Sequence, residues 1–194
     1  MTLHELLKTH TAQVHKDLEK KLNLLSPDMT IEAYIQLLKS FYGFYSSFES
    51  HLIKSEYNHF MENRLKSKHI VEDLISLGLS EKEIGLISIT PLQPHFSLEQ
   101  WLGSLYVIEG STLGAQVLTI HFTNKFNFLN LQGSKFFDGY GPKTGLYWKE
   151  FLSFLEKEWK DKSLSEDKII ASAQSTFLQI GLWLTKDFKR SDAN

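Results

Sequence analysis

The sequence predicts an all-α fold, a single compact domain of about six to eight helices. Two observations carry this. Apolar residues recur at i+3/i+4 spacing through every long segment, and no segment sustains the alternation of a strand. A third supports them. Ser or Thr followed three residues later by Glu or Gln, the capping box that satisfies a helix's first free amides, stands at the head of several segments.

Taken in order, Thr2 and Glu5 open a helix from Leu3 to about Leu22, and Ser26 to Thr30 form a connection around Pro27. Thr30 caps a long helix with the apolar stripe Ile31, Tyr34, Ile35, Leu38, Phe41, Tyr45, Phe48, Leu52. Arg64 to Leu77 reads as a third helix, stopped by Gly78. Ser80 and Glu83 cap a short helical piece before the loop Ile89 to His95. Ser97 and Gln100 open a helix over about 98 to 124, interrupted by glycines. Gly133 to Gly141 reads as a turn-rich loop. Pro142 begins a helix reaching about Lys160, where its missing N–H costs nothing. Ser165 opens the last helix, with Ile169, Ala173, Phe177, Ile180 and Leu184 on its apolar face.

Composition narrows the function. A chain of 194 residues with 42% hydrophobic content builds a proper core. The net charge of −2 gives no footprint for nucleic acid, and the absence of cysteine removes disulfides, thiolate nucleophiles and Cys-ligated metals. No run of 18 apolar residues exists and the N-terminus is amphipathic, so a cytoplasmic protein with neither membrane span nor signal peptide is expected.

The most informative stretch is Trp101 to Gln116. A good apolar helix runs into Gly110, Ser111, Thr112, Leu113 and Gly114 before resuming. Each interior glycine costs roughly 1 kcal/mol against alanine. Either a flat or bulky group approaches the backbone there, or the glycines form a notch for another helix; the motif alone leaves both open. On the first helix, His4, Lys8, Thr11, His15, Leu18 and Leu22 share one side, and Glu19 follows His15 by four residues. The pair is either a ligating imidazole with its orienting carboxylate or an ordinary surface pair. The eight histidines include no HExxH, and no helix carries the Glu-x-x-His pairs of di-iron bundles.

LLKTHTAQVHKDLE, followed ninety residues on by GSLYVIEGSTLGAQVL and then by FFDGYGPKTGLYWKEFLSFLE and TFLQIGLWL, resembles haem oxygenase in its bacterial, biliverdin-producing branch. The resemblance implies one helical domain over residues 1–190 with a short polar tail, 191–194. It implies haem b held between a proximal helix and a kinked distal helix, both cofactor and substrate. With O2 and electrons from an external ferredoxin or reductase, the ring would open at a meso carbon to give biliverdin, CO and ferrous iron. His15 matches the proximal iron ligand, Glu19 its hydrogen-bond partner, and Gly110 and Gly114 the distal glycines. Lys8 matches a propionate-pairing residue, with Thr11 on the same side. Lys143 and Lys149 lie in a block that supplies further propionate contacts, and Phe177 and Gln179 in the pocket segment of the last helix.

Ser111 stands where animal-type enzymes carry an aspartate that organises the distal water, and the bacterial branch tolerates this change. It keeps alive a haem-binding or haem-transfer protein that uses the same pocket without turnover. The thiaminase-like branch of the same broad fold needs a nucleophilic cysteine, which this chain lacks.

Overall fold

Local caps set where the helices begin. In the computed structural model, which describes residues 1–52, 57–91 and 97–191, α1 spans Leu3–Leu22 behind a complete Thr2–Glu5 capping box. It ends on Asn23 in the left-handed region at φ 42°. Thr30 Oγ1 accepts the amide of Ala33 at the head of α2, Ile31–Leu52. A short turn, α3, covers Asn58–Met61. The helix α4, Ser67–Ser76, stops at Gly78 (φ +96°), where Gly78 N–H and Leu79 N–H close back on Ile75 and Leu74. Ser80 and Glu83 box the short α5, Glu81–Gly85.

The long α6 runs Leu98–Phe126, headed by reciprocal Ser97–Gln100 bonds of 2.9 and 3.3 Å. A turn α7, Lys135–Asp138, precedes a 3-10 turn at Gly141–Lys143, α8 at Thr144–Asp161 and α9 at Glu166–Ser191. Every described element is helical. No described helix is long and apolar enough to cross a membrane.

Four boundaries differ from the sequence reading. The expected helix at Arg64 starts only at Ser67, because the Glu49 carboxylate accepts the amides of Lys66 (2.5 Å) and Ser67 (3.2 Å) and caps it there. The loop Gly133 to Gly141 contains α7, whose first amides, Lys135 and Phe136, bond to Asp73 at 2.9 and 2.8 Å. Pro142 lies in the 3-10 turn, one residue ahead of α8. The expected interruption at Gly110–Gly114 is absent, and α6 stays helical through it. Residues 92–95 of the expected loop and 192–194 of the expected tail lie outside the described residues, and Ser191 closes α9.

The helices gather into two compact units. The first holds Met1–Leu24, Gln93–Gln116 and Tyr140–Leu182. Within it α6 and α9 touch backbone to backbone. A Cβ on Gly103 would stand 2.3 Å from the carbonyl oxygen of Ile169, and only glycine fits that approach. Beside it Ser104 Oγ lies 2.9 Å from Thr176 Oγ1, and Ser172 Oγ donates to the Gln100 carbonyl at 2.7 Å, so the buried hydroxyls are satisfied. Trp101 meets Phe154 edge to face, and Tyr106 meets Trp148, bringing α8 onto the same helix. On α1, the residues that go inward are Leu3, Leu7 and Thr11.

The second unit holds Leu25–Leu92, Val117–Gly139 and Trp183–Asn194. There α2 packs on α4, and α4 on α7. The stripe read on α2 is too narrow, since Leu37 and Phe44 are buried as well as Tyr34, Leu38, Tyr45 and Phe48. Tyr34 centres an aromatic cluster with Phe122, Phe126, Phe128 and Phe137, and its hydroxyl donates to the Gly133 carbonyl.

Two outcomes follow from these contacts. Gly103→Ala forces α6 and α9 apart and should lower the unfolding free energy by about 1–3 kcal/mol in urea, the usual cost of overpacking. Asp73, wholly buried, has its carboxyl raised by that burial to about 6 from an ordinary 3.8, against the pull of the Phe136, Lys135 and Gly133 amides and the Lys135 charge. Between those values the folded chain keeps a proton the unfolded chain has lost, so this group makes stability fall as pH rises. The stability difference between wild type and Asp73→Asn should therefore shift against the wild type from about pH 4 to about pH 7 in urea unfolding.

Candidate functional site

The first unit holds all the residues the sequence singled out for chemistry. On α1, Thr11 is buried, and its hydroxyl donates to the Leu7 carbonyl at 2.7 Å. His15 is half exposed, one turn further on, and stacks on Phe177 of α9 at 5.1 Å and 29°. Glu19 stands beside it as expected, but the approach is Oε1 to Nε2 at 3.5 Å, longer than a normal hydrogen bond. Contacts that join α1 to α9 include Gln174 Nε2 donating to the His10 carbonyl, His15 against Phe177, and Leu18 3.2 Å from where a Cβ on Gly181 would stand. Residue numbers rise together along both helices, so they run parallel.

On α6 the surroundings change at one position. Every residue from Trp101 to Glu109 is buried, and from Ser111 onward Leu113, Gly114, Gln116 and Val117 are exposed. A Cβ on Gly110 would meet only the Trp148 ring, at 3.6 Å, and one on Gly114 nothing within 4 Å among the described residues. The tight helix-packing notch is therefore at Gly103; Gly110 faces the Trp148 ring of α8 at ordinary contact distance, and Gly114 has no described neighbour within 4 Å. Ser111 Oγ donates to the Ile108 carbonyl (2.8 Å) and Thr112 Oγ1 to that of Glu109 (2.7 Å). These hydroxyls keep lone pairs to accept from water.

Several neighbours were not legible as site residues. Tyr106 lies one turn before Gly110, and His4 packs its ring against both Tyr106 (6.1 Å) and Trp148 (5.7 Å). Burial, then the Lys8 charge, lowers the His4 pKa and favours the neutral ring. Glu109 is 1% exposed and accepts from Tyr140 Oη at 2.7 Å. Helical spacing from Gly110 points to Tyr106; nothing local to Trp148 or Tyr140 pairs them with residues some thirty to forty positions earlier. Lys8, Lys143 and Lys149 are exposed cations. Gln179 donates to Ser175 on its own helix, so of the two residues expected from α9 it is Phe177 that reaches His15.

The family model described as "Heme oxygenase" matches residues 1–75, a stretch that contains Lys8, Thr11, His15 and Glu19 but none of α6. No curated protein sequence matches the chain. Among solved structures, the NO- and CO-bound heme oxygenase from Neisseria meningitidis superposes with a TM-score of 0.77 at 22% identity, covering 97% of this chain and 93% of that one. The heme oxygenase from Leptospira interrogans gives 0.73 at 20% identity, covering 96% and 100%. Heme oxygenase-1 from the cyanobacterium Synechocystis, in complex with heme, gives 0.77 at 16% identity, covering 98% and 94%.

The fold is that of the haem oxygenases. Within a haem oxygenase fold the donor set here suits a flat apolar group with a central metal. It offers the half-exposed imidazole of His15, a helix backbone without Cβ atoms at Gly110 and Gly114, the exposed Leu113 beside them, and surface lysines, among them Lys8, Lys143 and Lys149, that suit carboxylates. Gly114→Ala adds a methyl that touches no described protein atom. In protein purified without haem it should raise the unfolding free energy by up to about 1 kcal/mol, read as a higher midpoint in urea.

Proposed function

We propose that this chain is a haem oxygenase that uses O2 and electrons from an external ferredoxin or reductase to open haem at a meso carbon, releasing biliverdin, CO and ferrous iron. The observation that carries this reading is the change along α6, from nine buried residues to a bare backbone face at Gly110 and Gly114. A helix accepts two interior glycines at a cost of roughly 1 kcal/mol each where something must lie closer than a Cβ permits. The family match across the His15 helix and the shared fold support the same reading.

Bound haem supplies both the iron that activates O2 and the macrocycle that is oxidised. His15 is the residue that would hold the iron, and an imidazole nitrogen there would favour different oxygen chemistry from a thiolate. Glu19, 3.5 Å away, would have to close on the second ring nitrogen to orient the ring and raise its basicity. Phe177 covers one face of the imidazole and limits its rotation. Ser111 and Thr112 donate their hydroxyl protons to helix carbonyls, so toward a water bound at this face they would act as acceptors rather than donors. Lys8, Lys143 and Lys149 are the cations for the propionates, with Thr11 buried behind Lys8.

Reconstitution with hemin, reduction under air and chromatography of the tetrapyrrole test the reaction, and His15→Ala tests the ligand. The variant should still bind hemin, since buried area dominates affinity for a flat apolar group. It should lose the histidine-type spectrum and form no biliverdin. Native spectrum and turnover in His15→Ala would overturn the ligand assignment. Hemin binding by the wild type with no bilin formed would convert the reading to a haem-binding or haem-transfer protein.

A further inference from the structure

The Gly139–Thr144 turn is fastened to α6 at two points that share one face of the helix. Tyr140 Oη donates to Glu109 Oε1 at 2.7 Å, and Gln116 Nε2 donates to the Gly141 carbonyl at 3.1 Å. Positions 109 and 116 are two turns apart on the same side, and Gly110 and Gly114 lie roughly 100–140° round the helix from Glu109. The Tyr140 ring also stacks on Tyr147 of α8 at 4.1 Å and 20°. Thr144 Oγ1 donates to the Gly141 carbonyl at 2.8 Å, and Gly139 and Gly141 supply the positive φ angles, 64° and 56°, that the turn requires. Two residues beyond Gly141 the turn presents Lys143, exposed.

Glu109 is a poor choice for this position on packing grounds alone. It sits in a run of buried residues, 1% exposed, where Leu would fill the volume with no carboxylate to desolvate. A carboxylate is retained there at a cost, and a short bond from a phenol to a carboxylate is among the stronger neutral-to-ion contacts. The polar group fastens the turn.

We propose that Glu109 is a positioning residue: through Tyr140 it holds the turn against α6 and fixes where Lys143 meets a carboxylate of the ligand, a role that rests on haem lying beside Gly110. Glu109 touches neither substrate nor metal in this role. Its effect passes through Tyr140 to Lys143, and is felt only by a ligand that carries carboxylates.

The test compares hemin with hemin dimethyl ester, which keeps the ring and the iron but lacks the acids. Apoprotein is titrated with each in the same detergent-containing buffer, for wild type, Tyr140→Phe, Glu109→Gln, Lys143→Ala and the Tyr140→Phe/Lys143→Ala double variant. Tyr140→Phe deletes one oxygen and keeps the ring stack, so it tests the fastening even where Glu109→Gln folds poorly. Wild type should prefer the acid. Tyr140→Phe and Lys143→Ala should each lose roughly threefold to tenfold of that preference, the range of one hydrogen-bonded contact. The double variant should lose no more than Lys143→Ala alone, because the two act in one chain. Hydrogen exchange should quicken at residues 139–143 in Tyr140→Phe. Wild-type preference in Tyr140→Phe, or losses that simply add in the double variant, overturns the positioning role and leaves the haem reading standing. So does equal binding of acid and ester by the wild type. A wild type that binds neither overturns the haem reading and the positioning role together.

Discussion

Backbone contact between α6 and α9 at Gly103 is the constraint on which the first unit depends. With Ile169's carbonyl oxygen where a Cβ would stand, neither helix can shift away without opening a void or move closer without a clash. The hydroxyls of Ser104, Ser172 and Thr176 then find partners inside the same contact, which spares the buried polar atoms the cost of going unmatched. With its first half committed in this way, α6 has its buried sides settled as far as Glu109. Two turns beyond Gly103, the unbroken run of buried residues ends at Gly110, and beyond it buried Thr112 alternates with exposed Leu113 and Gly114.

The same residue type therefore does opposite things along one helix. Gly103 is small so that protein can come close. Gly110 and Gly114 are small with no helix in the place a side chain would take. Spacing treats all three alike, and the sequence reading had to leave the packing notch and the ligand face as equal alternatives for the later pair. Only the neighbours decide, and those neighbours, Ile169 and Trp148, come from segments far along the chain.

Helix starts divide along the same line between local and distant causes. Thr2 with Glu5, Ser80 with Glu83 and Ser97 with Gln100 satisfy amides within their own first turn, and each was legible. The starts of α4 and α7 are set by carboxylates from other helices, Glu49 and Asp73, some 17 and 62 residues away, and were misplaced or missed. The i+4 pairing of His15 with Glu19 and the glycine spacing of α6 could be read as candidates because each lies within one helix. Tyr106, Trp148 and the Tyr140–Glu109 bond join different helices, and no local pattern announces them. The Glu19 geometry was readable only as adjacency: the i+4 spacing brought the groups together, and the structure added which ring nitrogen faces the carboxylate.

The uneven burial of α1 has a mechanical consequence. Leu3, Leu7 and Thr11 sink into the first unit along the opening turns, whereas the later turns around His15 are largely exposed and meet α9 through single contacts. Such a helix is a cantilever, clamped at one end. Fewer buried contacts restrain its later turns than its first ones. The imidazole of His15 is mounted on those exposed turns, four residues past the last buried one, so its position is set less by the packed core than by the single ring it stacks on.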